Sequence, residues 1–346
     1  MLILARFLLA QLHLDSLMNK TTEDEIQNAL KRLPRGSEAY DEAYKDAMER
    51  IEEQDVDGKK LAKQVLLWIV SARRSLATAE LQHALAVEVG KSVFNAKRQP
   101  DIEDIVSVCA GLVTIDKESN VFRLVHYTTQ DYFEQTQSHW FPNAETYITT
   151  ICITYLSFDI FTHGFCQTDN EFEERLRSNQ FFEYAAQNWG HHARKASTLS
   201  QAVVKFLMCE AQVNASSQGL FATKRYPLPS NYSQQVPRGI TGLHLTAHFG
   251  VESILKLLLQ AGKVEADSKD EYGRTPLSWA TGSGQEAVVK LLLETGKVEA
   301  DSKGKDGQTP LSLAAENGHE AVVKLLLETG KVKADSKDED SQTPLQ

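Results

Sequence analysis

Residues 275–296 read TPLSWATGSGQEAVVKLLLETG, and residues 309–330 read TPLSLAAENGHEAVVKLLLETG. The triplet returns at Thr343-Pro344-Leu345, and a blurred copy, Thr241-Gly242-Leu243, comes first, each 34 residues from the next. A constant period of this length means one supersecondary unit, repeated and stacked. Within the unit, Thr suits a helix N-cap, where its hydroxyl accepts a main-chain N–H. Pro suits the first helical position, which needs no N–H. The small residues Ala280, Ala314 and Ala315 let this first helix lie close to a neighbour, and Gly250, Gly284 or Gly318 turns the chain. A second helix carries Val288-Val289-Lys290-Leu291-Leu292-Leu293, matched at Val322-Val323-Lys324-Leu325-Leu326-Leu327. It closes at Gly296 or Gly330, residues suited to a left-handed C-cap. The loop KVEADSK or KVKADSK leads to the next Thr.

These residues resemble the ankyrin repeat, with one residue added in the loop. The resemblance implies an α-solenoid whose loop tips and first helices line a concave, protein-binding face. Departures stand out. Gly242 replaces the proline, Ser278 and Ser312 stand where the family has the His kept at His244, and Trp279 takes a Leu position. The expectation is that the first and second copies pack imperfectly. Ser341 replaces the glycine seen as Gly273 and Gly307, and the sequence ends at Gln346 before a fourth helix pair. A repeat cannot cover its own apolar face, so a longer parent protein is expected.

The 346 residues, 42% apolar, predict two or three ordinary globular domains, and the net charge of −10 argues against general attraction to nucleic acid or anionic lipid. Cys109, Cys152, Cys166 and Cys209 form no C-x-x-C pair, which predicts buried thiols in a reducing, cytoplasmic setting. The opening MLILARFLLAQLHL has no basic leader, is interrupted by Arg6, and falls short of the roughly 20 apolar residues that span a bilayer. It reads as a buried helix wanting cover from upstream.

Thr22 and Glu25 predict a capping box, followed by a helix with Ile26, Ala29, Leu30 and Leu33 on one face until Pro34. Ser37 caps the next, whose Tyr40, Ala43, Tyr44, Ala47, Met48 and Ile51 form an amphipathic stripe. A third helix holds Leu61, Val65, Trp68, Ile69 and Ala72, and a fourth holds Leu81, Ala84 and Leu85. Residues 101–110 read as a helix, 112–115 as a strand, 116–120 as a turn and 121–125 as a returning strand. Helices followed by a two-stranded wing make a winged-helix domain.

The strings KRLPRGSEAYDEAY, LAKQVLLWIVSARRSLATAELQHAL, DIVSVCAGLVTI and RLVHYTTQDYF resemble the winged-helix segment named after GPI inositol-deacylase, which follows the NACHT domain in fungal NLR-like (STAND) proteins. FFEYAAQNWGHHARKA resembles the helical linker such proteins place before ankyrin repeats. The expected layout is a helical segment at 1–56 following a NACHT domain, a winged helix at 57–140 and a helical linker at 141–197. A degenerate capping repeat and loop occupy 198–238, and ankyrin repeats occupy 239–346. The fold class is mainly α. Residues 146–158, rich in Ile, Thr and Tyr, would permit a strand and are read as helix. Residues 198–215 resemble the second helix of a worn repeat, and 216–238 read as an irregular loop.

Gly90-Lys91-Ser92 imitates a phosphate loop, but Leu85 stands where the first glycine is needed and the strand-then-helix context is absent. The resemblance implies that His126 reaches a nucleotide diphosphate in an intact parent; the plainer alternative is a helix cap. The third helix of the domain carries Asp101, Glu103 and Asp104, which would repel DNA phosphates. His191-His192 are adjacent on a helix, about 100° apart, and do not make a metal site. No G-x-S-x-G elbow supports hydrolase chemistry. The expectation is therefore a noncatalytic protein-binding and regulatory chain, with no cofactor, metal, nucleic acid or membrane. The alternatives are a stand-alone ankyrin adaptor and, behind it, a DNA-binding regulator. The expected contact residues are Arg238, Ile240, His248, Phe249, Glu271, Tyr272, Arg274, Ser283, Lys305, Asp306, Gln308, Glu316 and Asn317. A NACHT domain is a further expected partner.

Overall fold

The computed structural model describes residues 14, 21–32, 39–222, 230–262, 264–336, 338 and 343. The opening apolar segment, the Pro34 stop, the Ser37 cap, Ser341 and Pro344-Leu345 lie outside the described residues. The architecture is mainly helical, as expected, and falls into two compact units, residues 1–87 with 95–144, and residues 88–94 with 145–346.

In the first unit, α1 (Glu23–Arg32) opens with the expected reciprocal cap, Glu25 N–H on Thr22 Oγ1 and Thr22 N–H on Glu25 Oε2, both at 3.3 Å. Helix α2 (Ala39–Glu52) buries Ala43, Tyr44, Ala47, Met48 and Ile51, the predicted stripe. It packs on α3 (Val56–Ser71) and α6 (Tyr127–Trp140), so it joins the winged-helix core instead of standing in a separate preceding segment. Helix α3 is the hub. Its Ala62, Val65, Leu66 and Trp68 are fully buried, and α4 (Thr78–Ala86), α5 (Ile102–Ser107), β2 (Val121–Leu124) and α6 all pack on it. The wing is β1 (Val113–Asp116) paired antiparallel with β2, with Val113 opposite Leu124 and Asp116 opposite Val121.

The second unit begins with α7 (Ala144–Leu156), a helix as read despite its β-branched content. There follow α8 (Asp169–Ser178), α9 (Phe182–Lys195), α10 (Gln201–Leu207) and α11 (Glu210–Phe221). The repeats supply α12 (Gly242–Phe249) and α13 (Glu252–Gln260), α14 (Pro276–Gly282) and α15 (Glu286–Glu294), and α16 (Pro310–Glu316) and α17 (Glu320–Glu328). First helices stack on first helices and second on second. Leu243, Leu277 and Leu311 are fully buried between layers, as are Leu258, Leu292 and Leu326. The turn residues Gly250, Gly284 and Gly318 all have φ near +70°, at 73°, 66° and 70°.

Two expectations are corrected here. Helix α9 stacks on α12 and α10 on α13, so the capping hairpin begins at Phe182, within the stretch read as linker, and not at 198. Residues 216–221 also belong to α11 and not to an irregular loop. The departure at Gly242 has a cause other than imperfect packing. A Cβ there would lie 2.2 Å from the Leu207 carbonyl oxygen, so α10 approaches too closely for proline or any other side chain.

Helices α9 and α12 meet as tightly. A Cβ on Gly190 would lie 2.1 Å from Phe249 Cγ, inside a cluster that includes Trp189, whose ring is 5.1 Å from that of Phe249. Gly190→Ala should therefore cost about 1–3 kcal/mol through overpacking, read as a lower urea midpoint, with Phe249→Leu in the same chain recovering part of the loss. An unchanged midpoint would contradict the close approach.

Candidate functional site

The first helix of each repeat is fixed by its cap. In the second repeat Ser278 N–H donates to Thr275 Oγ1 and Thr275 N–H to Ser278 Oγ, both at 3.2 Å. Thr309 and Ser312 repeat the pattern. Serine thus satisfies the local cap, and these copies are not loosely packed on that account. In the first repeat His244 does this and more. Its Nδ1 accepts from Thr241 N–H at 3.1 Å, which leaves the proton on Nε2 to donate to the Arg274 carbonyl at 3.0 Å, tying the first repeat to the second.

Between repeats the loop tips join through main chain, Glu271 N–H to the Arg238 carbonyl at 2.7 Å and Lys305 N–H to the Tyr272 carbonyl at 2.8 Å. This presents Glu271, Tyr272, Lys305 and Asp306 outward, all exposed, with Glu316 and Asn317 at the ends of the first helices. Gln308 donates to Glu316 Oε2 at 2.8 Å. Arg238 is exposed but occupied: its guanidinium lies 4.3 Å from the Phe165 ring centroid and donates to Gln167 and Gln234. Two expected contact residues are corrected. Ile240 and Phe249 are each 1% exposed and belong to the core, because Phe249 fills the space that Gly190 leaves.

A cavity of about 510 Å³ lies on this face. His248, Tyr272, Arg274, Ser283 and Asn317 line it as expected contact residues. The sequence reading missed Phe221, Tyr232, Gln235 and Val236, which approach from outside the repeats, and Trp279, noted only as a misplaced Leu. Trp279 is not a packing fault. Its Nε1 donates to Asp270 Oδ2 at 3.0 Å, and its ring lies 5.1 Å from Phe221 and 5.8 Å from His248. Ser283 Oγ and His248 Nδ1 are 2.9 Å apart. The wall opposite is pinned by Gln218, fully buried, which accepts from Cys166 N–H at 2.8 Å and donates to the Cys166 and Ser233 carbonyls at 3.0 and 3.1 Å. Asp169 adds to it by accepting from Ser233 N–H at 3.0 Å and Oγ at 2.6 Å.

The family described as "Ankyrin repeats (3 copies)" matches residues 182–302 and 294–346, and "GPI inositol-deacylase, winged helix domain" matches residues 48–139. The chain carries a GPI inositol-deacylase-type winged helix followed by ankyrin repeats. The ankyrin match begins at the same residue as α9, where the stacking begins. Among curated proteins none matches the chain.

In the winged helix, His126 caps α6, its Nδ1 accepting from Thr128 N–H at 3.3 Å and lying 2.9 Å from Thr128 Oγ1. Gly90, Lys91 and Ser92 lie in a surface loop in which Ser92 donates to Asp159 at 2.8 Å. His192 is buried between Tyr184 Oη at 3.0 Å and Glu145 Oε2 at 2.6 Å. Among the described residues no cluster of three or more His, Cys, Asp or Glu is placed to hold a metal, and no helix is long and apolar enough to cross a membrane.

Both imidazoles of the first ankyrin repeat are held neutral, since burial pushes His244 and His248 down to about 4 from an ordinary 6.5. Between those values the unfolded chain takes up protons that the folded chain refuses, so stability is full above the upper value and is lost as pH falls toward the lower. The urea midpoint should therefore drop between about pH 7 and about pH 4.5, and His244→Ser, the residue at 278 and 312, should flatten that dependence. Parallel profiles for the two proteins would refute the assignment.

Proposed function

We propose that the chain is a noncatalytic interaction and regulatory module. Its ankyrin face binds a protein partner, and its winged helix docks on a NACHT-type nucleotide-binding domain of the same polypeptide or of a partner. The setting is cytoplasmic, as in fungal NLR-like proteins, and the module needs no cofactor or metal of its own. The observation that carries this reading is the outward row Glu271, Tyr272, Lys305, Asp306, Glu316 and Asn317 beside the aromatic-lined cavity. The caps and buried leucines hold the array together, so these exposed side chains are available to a partner.

His126 supports the second contact. With Nδ1 engaged by the cap, the neutral ring carries its proton on Nε2, a donor with no partner among the described residues and of the right chemistry for a phosphate oxygen. DNA binding is disfavoured because α5 is six residues long and exposes Glu103 and Asp104. A stand-alone ankyrin adaptor remains the second reading, favoured by a chain whose repeats have a capping hairpin of their own.

The full chain, immobilised, should retain a NACHT-type domain in a nucleotide-dependent manner, more weakly with His126→Ala. In the same assay Tyr272→Ala with Lys305→Glu should weaken capture of the ankyrin partner by about tenfold or more, as expected for central contact residues. Retention of the partner without the NACHT domain would favour the adaptor. Unaided ATP turnover by the purified chain, or indifference to both sets of substitutions, would overturn the reading.

A further inference from the structure

The positions at which the second repeat departs from the third include Asp270, Tyr272, Arg274 and Trp279, where Gly304, Asp306, Gln308 and Leu313 stand; the first also has leucine, Leu245, at the tryptophan position. In a tandem array the residues that hold the fold recur, so departures gathered at one place need another reason. These four meet in space. Asp270 is buried, its Oδ1 accepting from Tyr272 N–H and Arg274 N–H at 2.9 Å each and its Oδ2 from Arg274 Nε and Trp279 Nε1 at 3.0 Å each. The Arg274 guanidinium lies 5.0 Å from the ring centroids of both Tyr272 and Trp279. With Nε engaged by Asp270 and two aromatic rings near it, the guanidinium is held in place. Nη1 and Nη2 have no hydrogen-bond partner among the described residues.

Among the described residues Arg274 is the one lining residue of the 510 Å³ cavity that carries a formal charge, because His248 is neutral and Asp270, already accepting from four donors, is not part of the lining. A cationic ligand is disfavoured, since the rings that would receive it already hold a guanidinium. A carboxylate suits the free fork, whose two parallel donors match its two oxygens. Phe221 and Trp279 offer an apolar surface alongside, and the exposed rim residues Gln235, Tyr272 and Asn317 let a chain run on past the cavity. We infer that the cavity takes an Asp or Glu side chain of a partner's peptide on the Arg274 fork, with a large apolar side chain of the same peptide against Phe221 and Trp279. This rests on the protein-binding reading of the ankyrin face and names the chemistry it selects.

Random peptides displayed on phage and selected on the immobilised full chain should enrich Asp or Glu within one or two residues of a large apolar side chain. For a selected peptide, Arg274→Gln, which installs the residue of the third repeat, should weaken binding about ten- to a hundredfold, the scale of a charge-assisted hydrogen bond. Replacing the peptide's acid by its amide should do the same, and the two changes together should cost little more than either. Trp279→Leu, the residue of both neighbouring repeats, should also weaken binding. The peptide-side change leaves the protein untouched, so the test stands even where a protein variant folds poorly. Selected peptides without an acidic residue, or affinity indifferent to Arg274→Gln, would overturn this inference while leaving a protein-binding face. Failure to select any peptide, joined with failure to capture any protein, would remove both.

Discussion

Every layer of the second unit depends on a helical hairpin burying against the next one what it cannot bury alone. The apolar sides of α12, α14 and α16 are covered by one another, and α9 covers the first of them. Leucine does most of this work because it fills the interlayer space without polar atoms, and burying each such side chain contributes roughly 1.5–3 kcal/mol. The caps are subordinate to that contact: Thr with Ser or His fixes where a helix starts, whereas stacking fixes that it exists. Where layers approach most closely, side chains are removed, as at Gly190 and Gly242.

The repeats were legible because their signals are local and periodic. A threonine cap, a proline and a Val-Val-x-Leu-Leu run announce themselves within one turn or two, and the wing was equally plain from Val113 and Val121 onward. The capping hairpin was misplaced because only its second helix keeps the pattern, as Val203-Val204 and Phe206-Leu207. Its first helix is recognisable only by what it touches. Helix α11 escaped for a related reason, since Gly219, Ser216 and Ser217 give no amphipathic stripe although all are buried, Gly219 with Phe182 and Ala186 of α9 against it.

The candidate site was half visible. Loop-tip residues could be placed by register with the repeat, but register says nothing about Phe221, Tyr232 or Val236, which reach the cavity from elsewhere in the chain. Nor does it separate Phe249 from His248, adjacent residues of which one is core and the other lines the cavity. Trp279 and Asp270 carried a usable signal, namely their disagreement with Leu313 and Gly304, which has a reason only when the four departures are seen bonded to one another.

Gln218 sits behind all of this. An amide is the neutral side chain able to accept from one main-chain N–H while donating to two carbonyls, which it does for Cys166 and Ser233. A carboxylate in its place, as slow deamidation would leave, would set oxygen against oxygen and push Ser233 and the neighbouring Tyr232 outward. The shape of the recess is thus written partly in a residue behind its lining, and chemical ageing at that one hidden position would reshape the recess without altering the chemistry of any group that lines it.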